Sequence, residues 1–289
     1  MVQSGGGLLR YRARVLYDGT SFAGSQDIGP ECHTVFGELN KALNRRFKRA
    51  MLWRPLLALG ASRTDAGVHS RGNACHFDVP ADLAPDAADL SVQLNRMLPR
   101  KLRLSHVELA PERDFRGLPW HARHSAQSKL YSYRLQHGTD LEPMERLYRY
   151  EFPRRLDLDA MQEASRHLTG NLDYAALAAR QDAKQPPILL PPAETTRTVH
   201  SINLVDEGGG RLRFDFHLRG ALRRMVRAAV GLLLDIGQGR CVPSDVPRLL
   251  EARDRSKLPS PAPARGLTLE SVHYKVGWGG AYASNLNIR

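Results

Sequence analysis

One short stretch of the chain could carry chemistry by itself. Asp65 stands in a loop behind an apolar run, with Arg63 two residues before it and Ala66-Gly67 directly after. A neighbouring guanidinium keeps a carboxylate ionised, as a nucleophile or general base must be. Gly67 allows a tight backbone turn and the close approach of a ligand. Spacing alone leaves a second reading open, an aspartate that closes a turn and pairs with a neighbour. Tyr131 falls on a strand-like segment, where its ring could stack on a base or complete a core. Arg227 follows Arg223 by four residues, which on one continuous helix puts both on one face. His121, Arg123 and His124 crowd together, but no carboxylate or thiol stands at metal-ligand spacing beside them, so they read as a basic loop. Asp65 has no Ser–His partner, no glycine-rich phosphate loop and no zinc set, and the sequence shows no cofactor or metal site.

The surrounding segments must position these groups. Residues 10–17 alternate, with Tyr11, Ala13 and Val15 on one face and Arg10, Arg12 and Arg14 on the other. That predicts a half-buried strand with a basic outer face. Residues 34–47 set Val35, Leu39, Leu43 and Phe47 on one helical stripe. The apolar run 56–62 predicts a strand leading into the Asp65 loop. Strands are also expected over 74–79 and 102–109, and a helix over 89–98, stopped by Pro99. The second half has the same mixture. A strand over 128–136 puts Tyr131, Tyr133 and Leu135 on one face. A helix over 157–168 takes Asp157 as its cap and has Gly170 near its end. Residues 198–205 and 211–218 flank three glycines and predict a hairpin. The strongest helix is expected over 220–236, with Leu222, Val226, Ala229 and Leu233 on its buried stripe. A short helix over 244–253, capped by Ser244, and a strand over 267–274 close the chain. The expected architecture is a duplicated α+β module with halves at 9–115 and 116–276. Proline-rich surface loops interrupt it at 185–192, a candidate partner-contacting loop, and at 259–263.

The 289 residues carry 42 Lys plus Arg against 30 Asp plus Glu, a net charge of 42 − 30 = +12. With 42% hydrophobic residues the chain can fill a core, so it is not a disordered polyelectrolyte. No apolar run has the length of a membrane-spanning helix. Three scattered cysteines make no disulfide framework, and residues 1–9 are too short and too glycine-rich for a secretory leader. An intracellular, reduced location is expected. The basic residues cluster. Lys41, Arg45, Arg46, Lys48, Arg49 and Arg54 have no acid among them; residues 116–134 hold Arg116, Arg123, Lys129 and Arg134 and no acid. Residues 211–227 hold six arginines and one acid, Asp215. Such clusters point to a polyanion, above all a nucleic acid. Arg10, Arg12, Arg14, Arg45, Arg46, Arg123, Lys129, Arg223 and Arg224 are the candidate contacts, with a steep salt dependence of binding expected.

At this point the residues resemble a known family. Ser62-Arg63-Thr64-Asp65-Ala66-Gly67-Val68-His69 is similar to the signature of the TruA family of pseudouridine synthases. Tyr17-Asp18-Gly19-Thr20 with Phe22 and Gly24 resembles that family's first strand and turn. His121-Ala122-Arg123 followed by Lys129-Leu130-Tyr131-Ser132-Tyr133-Arg134 resembles its tyrosine strand. Met225-Val226-Arg227 with Gly231 resembles its late helix, and the segments 250–255 and 262–267 its closing pieces. The chain departs from the family at Ser25, Phe36, Ala221 and Arg265, which bears on substrate docking rather than on the chemistry. The pattern over 61–79 and 121–137 is similar to the animal pseudouridylate synthase-like branch, which is linked to mitochondria.

The resemblance implies an enzyme that isomerises uridine in tRNA to pseudouridine without cofactor or metal, in the anticodon arm, and acts as a homodimer. It implies two RRM/ferredoxin-like α+β halves sharing a continuous antiparallel sheet, with flanking helices and a basic central cleft. It makes Asp65 the catalytic carboxylate, either attacking the sugar or base or abstracting a sugar proton. Arg63 assists base extrusion, Tyr131 stacks on the uracil, and Arg227 holds Asp65 ionised. The rival expectations are an inactive RNA-binding or chaperone protein of the same fold, and a DNA-binding regulator, which would lack any helix-turn-helix or finger signature here.

Overall fold

The computed structural model describes residues 7–48, 55–179 and 191–275. Its elements in chain order are β1 (Leu8–Tyr17), α1 (Val35–Arg46), β2 (Leu59–Gly60), β3 (His69–Pro80), α2 (Ala87–Met97), β4 (Leu102–Leu109), β5 (Ala126–His137), β6 (Tyr150–Phe152), α3 (Leu158–His167), β7 (Gly170–Asp173), α4 (Pro192–Thr195), β8 (Thr196–Gly208), β9 (Arg211–Leu218), α5 (Met225–Gly237), α6 (Val246–Glu251) and β10 (Leu267–Tyr274). The class is mixed α+β. The chain folds into two compact units, 1–127 with 269–289 and 128–268. The expected boundary at 115/116 thus falls at 127/128, and β10 returns to the first unit from Leu269 onward. The reason is local. Residues 114–125 are bound into the first unit, where the Tyr274 hydroxyl donates to the Ala122 carbonyl and the Ala122 N–H donates to His76 Nδ1 at 3.2 Å. Arg49, Arg54 and most of the 185–192 segment lie outside the described residues. No described helix is long and apolar enough to cross a membrane.

In the first unit the strands run in the order β4-β1-β3-β10, with β2 beside β3. β1 is antiparallel to both neighbours, with Ala13 opposite Cys75 and Val15 opposite Leu104. The alternation of β1 turns Tyr11, Ala13, Val15 and Tyr17 onto one face. There they meet Leu39 and Leu43 of the first helix, Phe47 directly after it, and Leu90 and Leu94 of the second. Each such side chain contributes about 1.5–3 kcal/mol by leaving water. Thr34 caps α1 by accepting from the Gly37 N–H at 3.2 Å, and Asp86 caps α2.

Two expectations fail here. The opposite face of β1 is not an open basic surface, because a smaller cluster of Ala61, Ala74, Trp120 and Ala122 covers that side of the unit. Arg12 is only 5% exposed, bonded to Glu108 at 2.7 Å and lying 5.5 Å from the centroid of Trp120. The run 56–62 forms ladder pairs at Leu59 and Gly60 alone. The Ala61 N–H also reaches β3, at the Ala74 carbonyl, and three further amides are taken by asparagine side chains. Leu56 N–H donates to Asn44 Oδ1, Ala58 to Asn40 Oδ1 and Ser62 to Asn73 Oδ1. The side chains thus replace a neighbouring strand.

In the second unit the order is β5-β9-β8-β7, with β6 parallel to β5. Tyr131 of β5 stands opposite Phe216 of β9, and Tyr133 opposite Phe214. Leu212, Phe214, Phe216 and Leu218 are buried as the alternation predicts. The predicted hairpin is present, with the three glycines at its turn. Asp157 caps α3 by accepting from the Ala160 N–H at 3.0 Å.

The late helix differs from its prediction. It begins at Met225 because Arg224 takes a left-handed conformation, φ 60°, and starts the helix there. Leu222 and Arg223 therefore precede it, and Arg223 and Arg227 do not share a helical face. Nor is α5 buried along one stripe. Of its residues only Arg227 and Asp235 are not buried. Ser244 does not cap α6. It lies in a preceding 3-10 turn whose Asp245 side chain accepts from the Val242 N–H.

Candidate active site

Asp65 is half-buried on a loop that the first unit fixes on both sides. Before it, the buried Asn73 side chain bonds both backbone groups of Ser62, with Nδ2 donating to its carbonyl at 3.0 Å and Oδ1 accepting from its N–H at 3.2 Å. Thr64 is held three ways. Its N–H donates to Ser25 Oγ at 2.8 Å, its carbonyl accepts from the Ser25 N–H at 3.0 Å, and its hydroxyl bonds the Tyr17 hydroxyl at 2.8 Å. Tyr17 and Asn73 are linked in turn at 3.4 Å. After Asp65 the chain turns through Gly67 at φ 79°, a conformation that favours glycine, and the Val68 N–H closes the turn on the Asp65 carbonyl at 3.2 Å. His69 Nδ1 then accepts from the Gly19 N–H at 3.1 Å. The carboxylate is thus presented from a rigid frame, as preorganised catalysis needs. Ser25, Asn73 and His69 were not singled out as site residues from the sequence. Ser25 stood out only as a departure from the family pattern and His69 only as the end of the signature, and nothing marked Asn73.

Arg63 and Arg123 both line a cavity of about 270 Å³ beside this loop. Its lining includes the polar Gln26, Asp27 and Asn40 and the apolar Phe36 and Ala58. Arg123 is exposed, and burial of part of its side chain together with the nearby charge of Arg63 lowers its pKa. The turn carrying it is anchored by Asp114, which Arg116 holds at 2.6 Å and Ser125 at 3.0 Å. The Arg116 guanidinium keeps the Asp114 carboxyl below the usual carboxylate range. His121 Nδ1 accepts from the Arg123 N–H at 3.0 Å, and the His76 and His121 rings lie 4.4 Å apart. Among the described residues no group of three His, Cys, Asp or Glu is placed to hold a metal ion.

In the second unit Tyr131 is buried on β5. Arg227 is half-buried and tied to the 259–263 loop. Its Nε donates to the Ala262 carbonyl at 2.7 Å, and its own carbonyl accepts from the Ala262 N–H at 2.9 Å. The Tyr133 hydroxyl donates to the next carbonyl, Pro263, at 2.9 Å, and burial raises the Tyr133 pKa. Gly231 makes this docking possible, since a Cβ there would lie 2.5 Å from the Ser260 carbonyl oxygen. Residues that the sequence spaces far apart, Tyr133, Arg227 and 260–263, are thereby brought together.

The nine candidate RNA contacts divide by exposure. Arg45, Arg123, Arg223 and Arg224 are exposed, and Arg10, Arg14 and Arg46 are half-buried. Arg10 is spent on a bidentate pair with Asp78, at 2.7 and 2.9 Å, which raises its pKa, and Arg46 bonds Gln93. Arg12 and Lys129 are buried, Lys129 on a strand covered on both faces.

The pattern of the tRNA pseudouridine synthase family matches residues 164–275. The chain is 38% identical over 267 residues to tRNA pseudouridine synthase A of Latilactobacillus sakei, covering 92% of this chain and 99% of that protein. It is 38% identical over 272 residues to the enzyme of the same name from Leuconostoc citreum, covering 92% and 98%. With that of Listeria monocytogenes it shares 34% over 269 residues, 93% and 100% of the two chains. An identity of this level, running nearly end to end on each relative, settles the matter: the chain belongs to the tRNA pseudouridine synthase A (TruA) family.

Proposed function

We propose that this protein isomerises uridine in tRNA to pseudouridine, with Asp65 as the catalytic carboxylate. The observation that carries the reading is the fixed loop that presents Asp65 beside Arg63, in a chain of this family. Uridine and pseudouridine contain the same atoms, so no redox equivalent and no second substrate is consumed. The N1–C1′ bond breaks, the uracil turns, C5 bonds to C1′, and the proton on C5 is lost while N1 gains one. Asp65 enters either by attacking the sugar or base or by taking a sugar proton, and both roles require its ionised form. In this reading Arg63 assists extrusion of the base, Tyr131 stacks on the uracil, and Arg227 favours the charged carboxylate. Extrusion costs a few kcal/mol, least at an unpaired position, and phosphate contacts offset it.

The finer reading follows the same resemblance. The target lies in the anticodon arm, the protein acts as a homodimer, and it works inside the cell, with the mitochondrion favoured. Sedimentation of the purified protein and imaging of a tagged copy test the last two. The decisive experiment measures pseudouridine in a tRNA transcript incubated with wild type and with Asp65→Asn. Conversion is expected to vanish in the variant while tRNA affinity stays. Conversion that survives the substitution overturns the assignment.

A further inference from the structure

The cavity beside the catalytic loop is lined by Arg63 and Ser62, but Asp65 does not line it. A reacting uridine has to touch Asp65, so its base does not fill this cavity. Neither Arg63 nor Arg123 makes a side-chain hydrogen bond or ion pair among the described residues. Both residues nonetheless line one space, close enough for one charge to weigh on the other. Two like charges without a carboxylate partner are stabilised by an anion, and guanidinium geometry suits a phosphate. The lining also contains a carboxylate, Asp27. Asp27 is fixed by two bonds, one oxygen accepting from the Gly29 N–H at 3.1 Å and the other from Asn40 Nδ2 at 2.9 Å. Each oxygen keeps acceptor capacity, and a carboxylate only accepts. Phe36 and Ala58 add apolar surface to the same lining. Two guanidiniums, an apolar surface and a carboxylate acceptor in one cavity match the parts of one nucleotide, its phosphate and its flat base.

We propose that this cavity receives one unpaired nucleotide adjoining the target uridine, its phosphate at Arg63 and Arg123 and its base against Phe36 with N–H donors toward Asp27. The proposal rests on the assignment of Asp65 given above. An amino-bearing base is favoured, because the single N–H of uracil is flanked by two carbonyls that the carboxylate would repel.

Gln26 and Leu57 line the cavity and are exposed, Leu57 by 54%, so Gln26→Trp and Leu57→Trp can fill it without disturbing the core. With a tRNA transcript as substrate, each filling variant and Arg123→Gln are expected to raise KM about tenfold, the low end of what one stacked base contributes, with kcat within about twofold. Removing the base of one neighbouring nucleotide should cost wild type the same factor and cost Gln26→Trp nothing further. Melting curves verify that the variants fold. Unchanged KM in both filling variants overturns the proposal, as does a loss confined to kcat. If wild type converts no uridine, the assignment of Asp65 fails by itself. The same variants are then compared by tRNA affinity, where the tenfold loss must still appear for the cavity to be a nucleotide site and its absence refutes it.

Discussion

The N–H of Thr64 donates to the fully buried Ser25 Oγ at 2.8 Å, one residue ahead of Asp65. A side chain 39 residues upstream thus sets the direction of the Asp65 loop within the first unit. Ser25→Ala leaves that N–H buried without an acceptor, at a cost of about 1–3 kcal/mol. We expect a lower melting temperature and about a tenfold fall in kcat with little change in KM, because the loop still binds RNA but presents Asp65 loosely. Thermal melts and steady-state conversion of tRNA measure both, and an unchanged kcat would mean that Tyr17 and Asn73 suffice to hold the loop.

Gly231 plays the corresponding part in the second unit. Alanine there would bring its Cβ to 2.5 Å from the Ser260 carbonyl, an overlap with backbone that only a shift of the 259–263 loop relieves. Overpacking of this kind costs about 1–3 kcal/mol. The moving loop carries Ala262, which holds Arg227 from both ends. Gly231→Ala should therefore lower stability and conversion together, whereas Gly239→Ala, at a site with open space but φ 72°, should affect stability alone. Equal conversion by the two variants would remove the loop from the site.

These two relations show what the sequence could and could not disclose. Strands 102–109 and 267–274 were readable because a short alternating run bounded by turn formers admits little else. The Asp65 loop was readable as a motif. The elements that failed did so where side chains distant in sequence decide the outcome. The apolar run at 56–62 forms ladder pairs at two residues only, since Asn40, Asn44 and Asn73 take three of its amides. The late helix starts at Met225 although its apolar pattern begins earlier, because Arg224 turns left-handed. The arginines of β1 alternate as a solvent face would, and nothing in that strand announces that Glu108 and Trp120 will enclose Arg12.

Two histidines make stability depend on pH. Burial first, then neighbouring positive groups including Arg10, push His76 and His121 down to about 4 from 6.5. Both use Nδ1 as an acceptor, from Ala122 and Arg123 respectively, and so must be neutral there. The unfolded chain therefore binds more protons than the folded one between about pH 6.5 and 4. Stability is full above the unfolded value, falls as pH drops through this window, and its share from these groups is gone below the folded value. The slope is at most about 1.4 kcal/mol per pH unit for each group, and less for the more solvated His121. Melts at pH 7 and pH 5 should show the loss. His76→Asn, which keeps an acceptor for Ala122 but cannot titrate, should flatten it, and an undiminished slope in that variant would clear His76 of the effect.

The basic face reduces to a test between two arginines. Arg12 is enclosed by Glu108 and Trp120, while Arg45 stands in solvent at the end of α1. If the charge of the chain serves a polyanion, only the second kind of residue can release counterions on binding. Arg45→Gln is expected to leave the melting temperature unchanged and to reduce the salt dependence of tRNA affinity by about one ion. Arg12→Met removes a buried charge–π contact and an ion pair, so it should lower the melting temperature by several degrees while the salt slope stays as in wild type. Affinities measured across a salt series, together with melts of both variants, separate the two. A reduced slope for Arg12→Met in a fully folded protein would mean that the enclosed guanidinium still acts on RNA, and would return the β1 arginines to the binding surface.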